Sequence, residues 1–141
     1  MSFQEAIQFM QENPTCTLAT ADGDQPRARG MLVLWAREDG IYFTTGAPKS
    51  LYTQLRANPK VELCFYTPQP LKALRVTGEV KFVDDIALKS QALEERPFLK
   101  AFGSGTAGDP NFIIFKVANG EAFFWTMEDN LSEAEIPRIY F

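Results

Sequence analysis

The stretch that most restricts the fold is 26–59, PRARGMLVLWAREDGIYFTTGAPKSLYTQLRANP. It reads as a strand, a tight turn, a second strand and a helix. The two strands are adjacent in sequence, so they pair most simply as a hairpin around Glu38-Asp39-Gly40. Gly46-Ala47-Pro48 leads into a helix from about Lys49 to Ala57, which Asn58-Pro59 ends. Arg27 and Arg29 open the first strand, and Lys49 and Ser50 occupy the first helical turn. Cationic side chains beside a helix N-terminus are what a phosphate-bearing ligand needs.

In the first strand side chains alternate between two faces. Ala28, Gly30, Leu32, Leu34 and Ala36 are small or aliphatic and suit the inside of a small barrel. Arg27, Arg29, Met31, Val33 and Trp35 begin cationic and end apolar. That face suits a ligand with a charged tail and a flat apolar head at an interface. It also reads as a strand with a solvated start and an ordinary core end. Lys49 in the first turn opposes the helix dipole and is mildly unfavourable there without an anion, though a plain surface lysine fits as well. Thr44 and Thr45 end the second strand, where their hydroxyls either bond a polar ring edge or cap the turn. Trp125 is either core packing or a ring whose N–H requires a partner.

Elsewhere, Ser2 and Glu5 have capping-box spacing ahead of a helix over 3–12. Residues 15–21 read as a strand, and 22–24 as a turn. Val61, Leu63 and Phe65 alternate with polar residues in another strand. Leu74, Val76, Gly78, Val80 and Phe82 form one face of a long strand, with a bulge or barrel bend expected at Gly78. A helix is expected over 86–95. Strands over 112–117 and 122–127 are expected to form a hairpin at Asn119-Gly120. The apolar C-terminal residues are expected to dock as an edge strand. Gly103-Ser-Gly105-Thr-Ala-Gly108 matches G-x-G-x-x-G but follows a helix and precedes a strand. That is the wrong context for a dinucleotide fingerprint, so it reads as a loop.

Composition narrows the function classes. The 141 residues suit one domain, and twelve phenylalanines suggest a packed β core or a large buried interface. The net charge of −4 argues against nucleic acid. No apolar run reaches the ~20 residues of a membrane span. The N-terminus has no secretory pattern, and Cys16 and Cys64 stand alone, which fits a reducing cytoplasm. The absence of histidine removes His-based catalysis, His-ligated haem and the commonest zinc sites. No catalytic acid, base or nucleophile and no metal site is visible.

PRARGMLVLWAREDGIYFTTGAPKS…NPKVELCFY, then LRVTGEV, then FFW, resembles the pyridoxamine 5′-phosphate oxidase-related family of FMN-binding split barrels. The resemblance implies a mainly β fold, a six-stranded antiparallel split barrel with flanking helices. It implies a homodimer with FMN at the subunit interface and a small-molecule substrate. Arg29 matches the phosphate-binding arginine, with Arg27 beside it. The backbone of Gly30, Met31 and Leu32 would run along the flavin. Thr44 and Thr45 match a polar pair at the strand end, Lys49 and Ser50 the pair at the phosphate, and Trp125 a tryptophan that approaches the flavin. Leu34 stands where the true oxidase has a substrate-phosphate lysine, and Ala73 where it has a glutamine. The oxidase's C-terminal Arg-x-His element has no counterpart. The expected function is therefore an FMN-dependent oxidoreductase with another substrate. The alternatives are a non-catalytic FMN-binding or redox-sensing module, or a split barrel for deazaflavin or haem.

Overall fold

A computed structural model describes residues 2–141. Helix α1 (Phe3–Glu12) starts at a complete capping box: the Glu5 N–H donates to Ser2 Oγ, and the Ser2 N–H to the Glu5 carboxylate. Its apolar face buries Ala6, Ile7 and Met10. Strands β1 (Thr15–Asp22), β2 (Gln25–Leu32), β3 (Trp35–Arg37) and β4 (Gly40–Gly46) follow, then α2 (Ser50–Ala57). Strands β5 (Lys60–Pro68) and β6 (Leu71–Phe82) precede α3 (Ile86–Glu95), a 3-10 turn over Pro97–Ala101, β7 (Phe112–Thr126) and β8 (Ile139–Tyr140). All pairings are antiparallel, in the order β2-β1-β5-β6-β7-β4-β3, with β8 against β7.

The mainly β expectation holds, with eight strands instead of six. The run 27–36 divides in two, and the C-terminal segment adds a short strand. The division occurs at Val33-Leu34. The Val33 N–H donates to the Pro14 carbonyl (2.8 Å), while the Leu34 N–H donates to the Tyr42 carbonyl (2.8 Å). Consecutive residues thus belong to opposite ends of the sheet, which is how the barrel is split. The β3–β4 hairpin turns at Glu38-Asp39, as expected.

The faces of β2 are the reverse of the sequence expectation. Arg29 lies opposite Leu18, which is fully buried, and Met31 opposite the buried Cys16. Residues directly opposite share a face, so Arg29 and Met31 point inward, and Met31 packs on the main core. Ala28, Gly30 and Leu32 point outward and are exposed. The physical reason is volume: a barrel interior has to be filled, and Ala and Gly cannot fill it. After the break the parity shifts. Val33 and Ala36 join the main core, while Leu34 packs with Tyr42, Phe112 and Ile114 in a second cluster under α3.

The expected hairpin at Asn119-Gly120 does not form; β7 runs through it. Thr77 pairs with Glu121 and Glu79 with Ala118, so two residues of β7 oppose Gly78 alone. This is a β-bulge, as expected at Gly78, with the extra residue in the partner strand. Asn119 takes φ 53°, a left-handed conformation that asparagine tolerates. Gly120 bonds in both directions to the Phe141 backbone (3.1 and 3.2 Å), and the Phe141 ring stacks on Phe3 at 4.5 Å. The C-terminal residues dock as an edge strand, as expected.

Tyr42 links the hairpin to the second cluster. Its hydroxyl donates to Asp39 Oδ2 at 2.7 Å. Burial, and then that hydrogen bond, push its phenol up to about 12, while Asp39 is held below the usual carboxylate range. The folded phenol is raised above its ordinary value of 10.0, so the stabilisation it contributes is full below that pH and is lost on rising to about 12. In an alkaline titration followed by phenolate absorbance, a step near pH 12 is expected for Tyr42, and Tyr42→Phe is expected to remove that step.

Candidate functional site

A cleft of about 520 Å³ opens where the split in the barrel meets the 3-10 turn that follows α3. Its floor is the 30–34 crossing segment and the end of β4, including Thr44, Thr45 and Gly46. One wall is Pro48 and Lys49 at the entry to α2. The opposite wall is Arg96, Phe98, Leu99 and Phe102 from the 3-10 turn, with Asn111 and Phe112 behind. The volume is in the range of small-molecule and cofactor sites.

The only charged lining residues are Lys49 and Arg96, so the cleft is cationic. Lys49 is the N-cap of α2 and its side chain caps nothing. Arg96 Nη2 donates to the Leu34 carbonyl (3.0 Å), which holds the 3-10 turn against the crossing segment. Thr45 is 8% exposed, and its Oγ1 is the one buried side-chain polar atom without a hydrogen-bond partner among the described residues. A buried hydroxyl left unpaired costs about 1–3 kcal/mol, so a polar ligand group at this point would stabilise it. Phe98 and Phe102 are 53% and 72% exposed, high values for phenylalanines that line a cleft.

Of the residues expected at the site, the cleft gathers Gly30, Met31, Leu32, Thr44, Thr45 and Lys49. Ser50, the first residue of α2, is exposed beside it. Arg27 lies on the surface, paired with Asp22 at 3.3 Å. Arg29 is not in the cleft lining. It points inward beneath α2, where Nη1 donates to the Leu18 carbonyl (3.2 Å) and Thr20 Oγ1 (2.9 Å), and Nη2 to Gln54 Oε1 (2.6 Å). Trp125 lies outside the cleft too, on the outward face of β7 opposite Ala73. Sequence reasoning missed Arg96, Phe98 and Phe102. Two aromatics four residues apart behind an Arg-Pro step were the available signal, but only the docking of α3 brings them to the cleft.

A shallower depression of about 630 Å³ lies on the outward face near the bulge. It gathers Glu62, Glu79 and Glu121 against Lys60 alone, which suits an anion poorly. Among the described residues no group of acidic or thiol side chains is placed to hold a metal, and no helix is long and apolar enough to cross a membrane. Burial pushes the Cys16 thiol up to about 12, so it is no nucleophile.

Comparison with known proteins agrees with this architecture. A solved structure of a NimC/NimA family protein from Clostridium acetobutylicum superposes with a TM-score of 0.81 at 27% identity, covering 99% of this chain and 93% of that one. A pyridoxamine 5′-phosphate oxidase-related, FMN binding protein from Nostoc punctiforme has the same fold, with a TM-score of 0.68 at 16% identity over 98% and 95% of the two chains. A pyridoxine/pyridoxamine 5′-phosphate oxidase from Cupriavidus metallidurans is 38% identical over 85 residues, 59% of this chain. The match spans only 40% of that oxidase's length. The family profile described as pyridoxamine 5′-phosphate oxidase matches residues 3–126, nearly the whole of the sequence. The chain therefore belongs to the pyridoxamine 5′-phosphate oxidase family.

Proposed function

We propose that this chain binds FMN in the cationic cleft and acts as an FMN-dependent oxidoreductase on a small-molecule substrate other than pyridoxamine phosphate. The observation that carries the reading is Thr45 Oγ1, a buried hydroxyl without a partner in a cleft whose only charges are cations. Lys49, Ser50 and the free N–H groups of α2 would hold the phosphate, with Arg29 adding its charge from beneath. Leu32, Phe98 and Phe102 would exclude water from the flat ring. Leu34 is buried in the second cluster and supplies no charge for a substrate phosphate. When bound, the flavin supplies the redox chemistry, and the protein supplies position and electrostatics.

The site is best completed by a second copy. Gly30 and Leu32 share the outward sheet face with Trp125, but Leu32 and Trp125 lie on β2 and β7, four strands apart. Leu32 lines the cleft and Trp125 does not, so within one chain the two do not face the same ring. Ala19, Ala28, Gly30 and Thr17 keep the intervening face flat, which suits a two-fold pairing of that face with itself. Sedimentation is expected to show a species near twice the 15.9 kDa chain that carries one FMN per chain. A strict monomer that binds FMN with undiminished affinity would contradict the shared site. A non-catalytic flavin module is the second reading, favoured by a cleft lining without carboxylate, thiol or phenol. Turnover of a reduced nicotinamide with an electron acceptor separates the two.

A further inference from the structure

Arg29 is a half-buried cation held only by neutral acceptors: the Leu18 carbonyl, Thr20 Oγ1 and Gln54 Oε1. Among the described residues it forms no ion pair. A guanidinium stays charged in a protein, and removing it from water without a counter-charge is unfavourable. The side chains around it are themselves buried, Thr20 at 5% and Gln54 at 8% exposure. The cluster therefore maintains a positive charge that the chain itself leaves unneutralised.

Gln54 is the member on α2, the helix whose entry at Pro48 and Lys49 lines the cleft, and does not itself line it. Its Oε1 accepts from the Thr20 hydroxyl (2.7 Å) and from Arg29 Nη2 (2.6 Å), so β1, β2 and α2 converge on one atom. Gln54 follows Ser50 by four residues in α2, which places the two on one helix face, a turn apart. Gln54 thus holds the guanidinium one turn below the start of the helix that carries Lys49 and Ser50.

We propose that Gln54, supported by Thr20, is a positioning residue that fixes Arg29 against α2, so that its charge acts on the phosphate of FMN at the first turn of that helix. The inference rests on the reading that the phosphate lies there. Gln54 acts through Arg29 and needs no contact with the ligand. The neutrality of its amide is the point: a carboxylate in the same place would neutralise Arg29 and repel the phosphate.

The test compares the affinities of FMN and riboflavin, the same flavin without the phosphate, by fluorescence quenching. The wild-type chain is expected to prefer FMN. Gln54→Glu is close to isosteric and is expected to weaken FMN about tenfold or more, while riboflavin affinity stays the same. Thr20→Val is expected to weaken FMN in the same selective way, and it decides the question if Gln54→Glu does not fold. A merely structural role would lower both affinities together or neither. Variants that keep the wild-type preference, or lose both affinities equally, overturn the positioning role alone. A wild-type chain without preference for FMN overturns the phosphate reading itself, and this inference with it.

Discussion

Gly120→Ala is expected to destabilise the fold by about 3 kcal/mol or more, since an added Cβ would be more crowded there than at any other glycine. A Cβ at Gly120 would lie 1.7 Å from the Thr77 carbonyl oxygen and 2.7 Å from the Gly78 Cα. All of the atoms it meets are backbone, so no side chain can move aside. The bulge between β6 and β7 would have to open, and with it the pairing of Gly120 to Phe141 that anchors the C-terminal strand. Gly108→Ala is the control, since a Cβ there meets nothing within 4 Å. Denaturant unfolding of the two variants is expected to differ by most of that amount, and equal midpoints would mean that the two strands do not cross at the bulge as described.

Arg29→Ala and Lys49→Ala are each expected to weaken FMN binding by about 1.5–3 kcal/mol, the usual worth of a hydrogen bond to a charged group. The two differ in what else they do. Lys49 is exposed and caps nothing, so its removal is expected to leave the unfolding midpoint unchanged. Arg29 satisfies Thr20 and Gln54, so its removal also leaves buried acceptors short of donors and lowers the midpoint. Binding isotherms beside melting curves separate the contributions. Unchanged FMN affinity in both variants would remove the phosphate from this end of the cleft.

The elements that announce themselves locally were legible in the sequence. Ser2 and Glu5 cap α1, Val61, Leu63 and Phe65 of β5 alternate into the core, and Gly78 marks the bulge between β6 and β7. What was not legible depends on contacts far away in sequence. The run 27–36 looks like one uninterrupted strand, and the register that reverses its faces comes from pairing with β1 on one side of Val33-Leu34 and β4 on the other. Asn119-Gly120 has the local chemistry of a hairpin, but β6 is long enough to pair on both sides of it, so the strand continues through a bulge. For the site, Thr44, Thr45 and Lys49 were visible because they lie on one strand–helix connection. Arg96 and Phe98 were not, because only the packing of α3 over Leu34 and Tyr42 brings that turn to the cleft. Arg29 stands out in the sequence as a cation at the start of a strand, but its inward direction follows from Leu18 opposite it.

The most direct measurement is the visible absorbance of the purified protein before and after addition of FMN, with affinity read from quenching of flavin fluorescence. Saturable quenching at one FMN per chain, with a shifted flavin spectrum, is the expected result. Free-flavin fluorescence and an unshifted spectrum at concentrations well above that of the protein would contradict it, and would leave a split barrel whose cationic cleft serves another ligand.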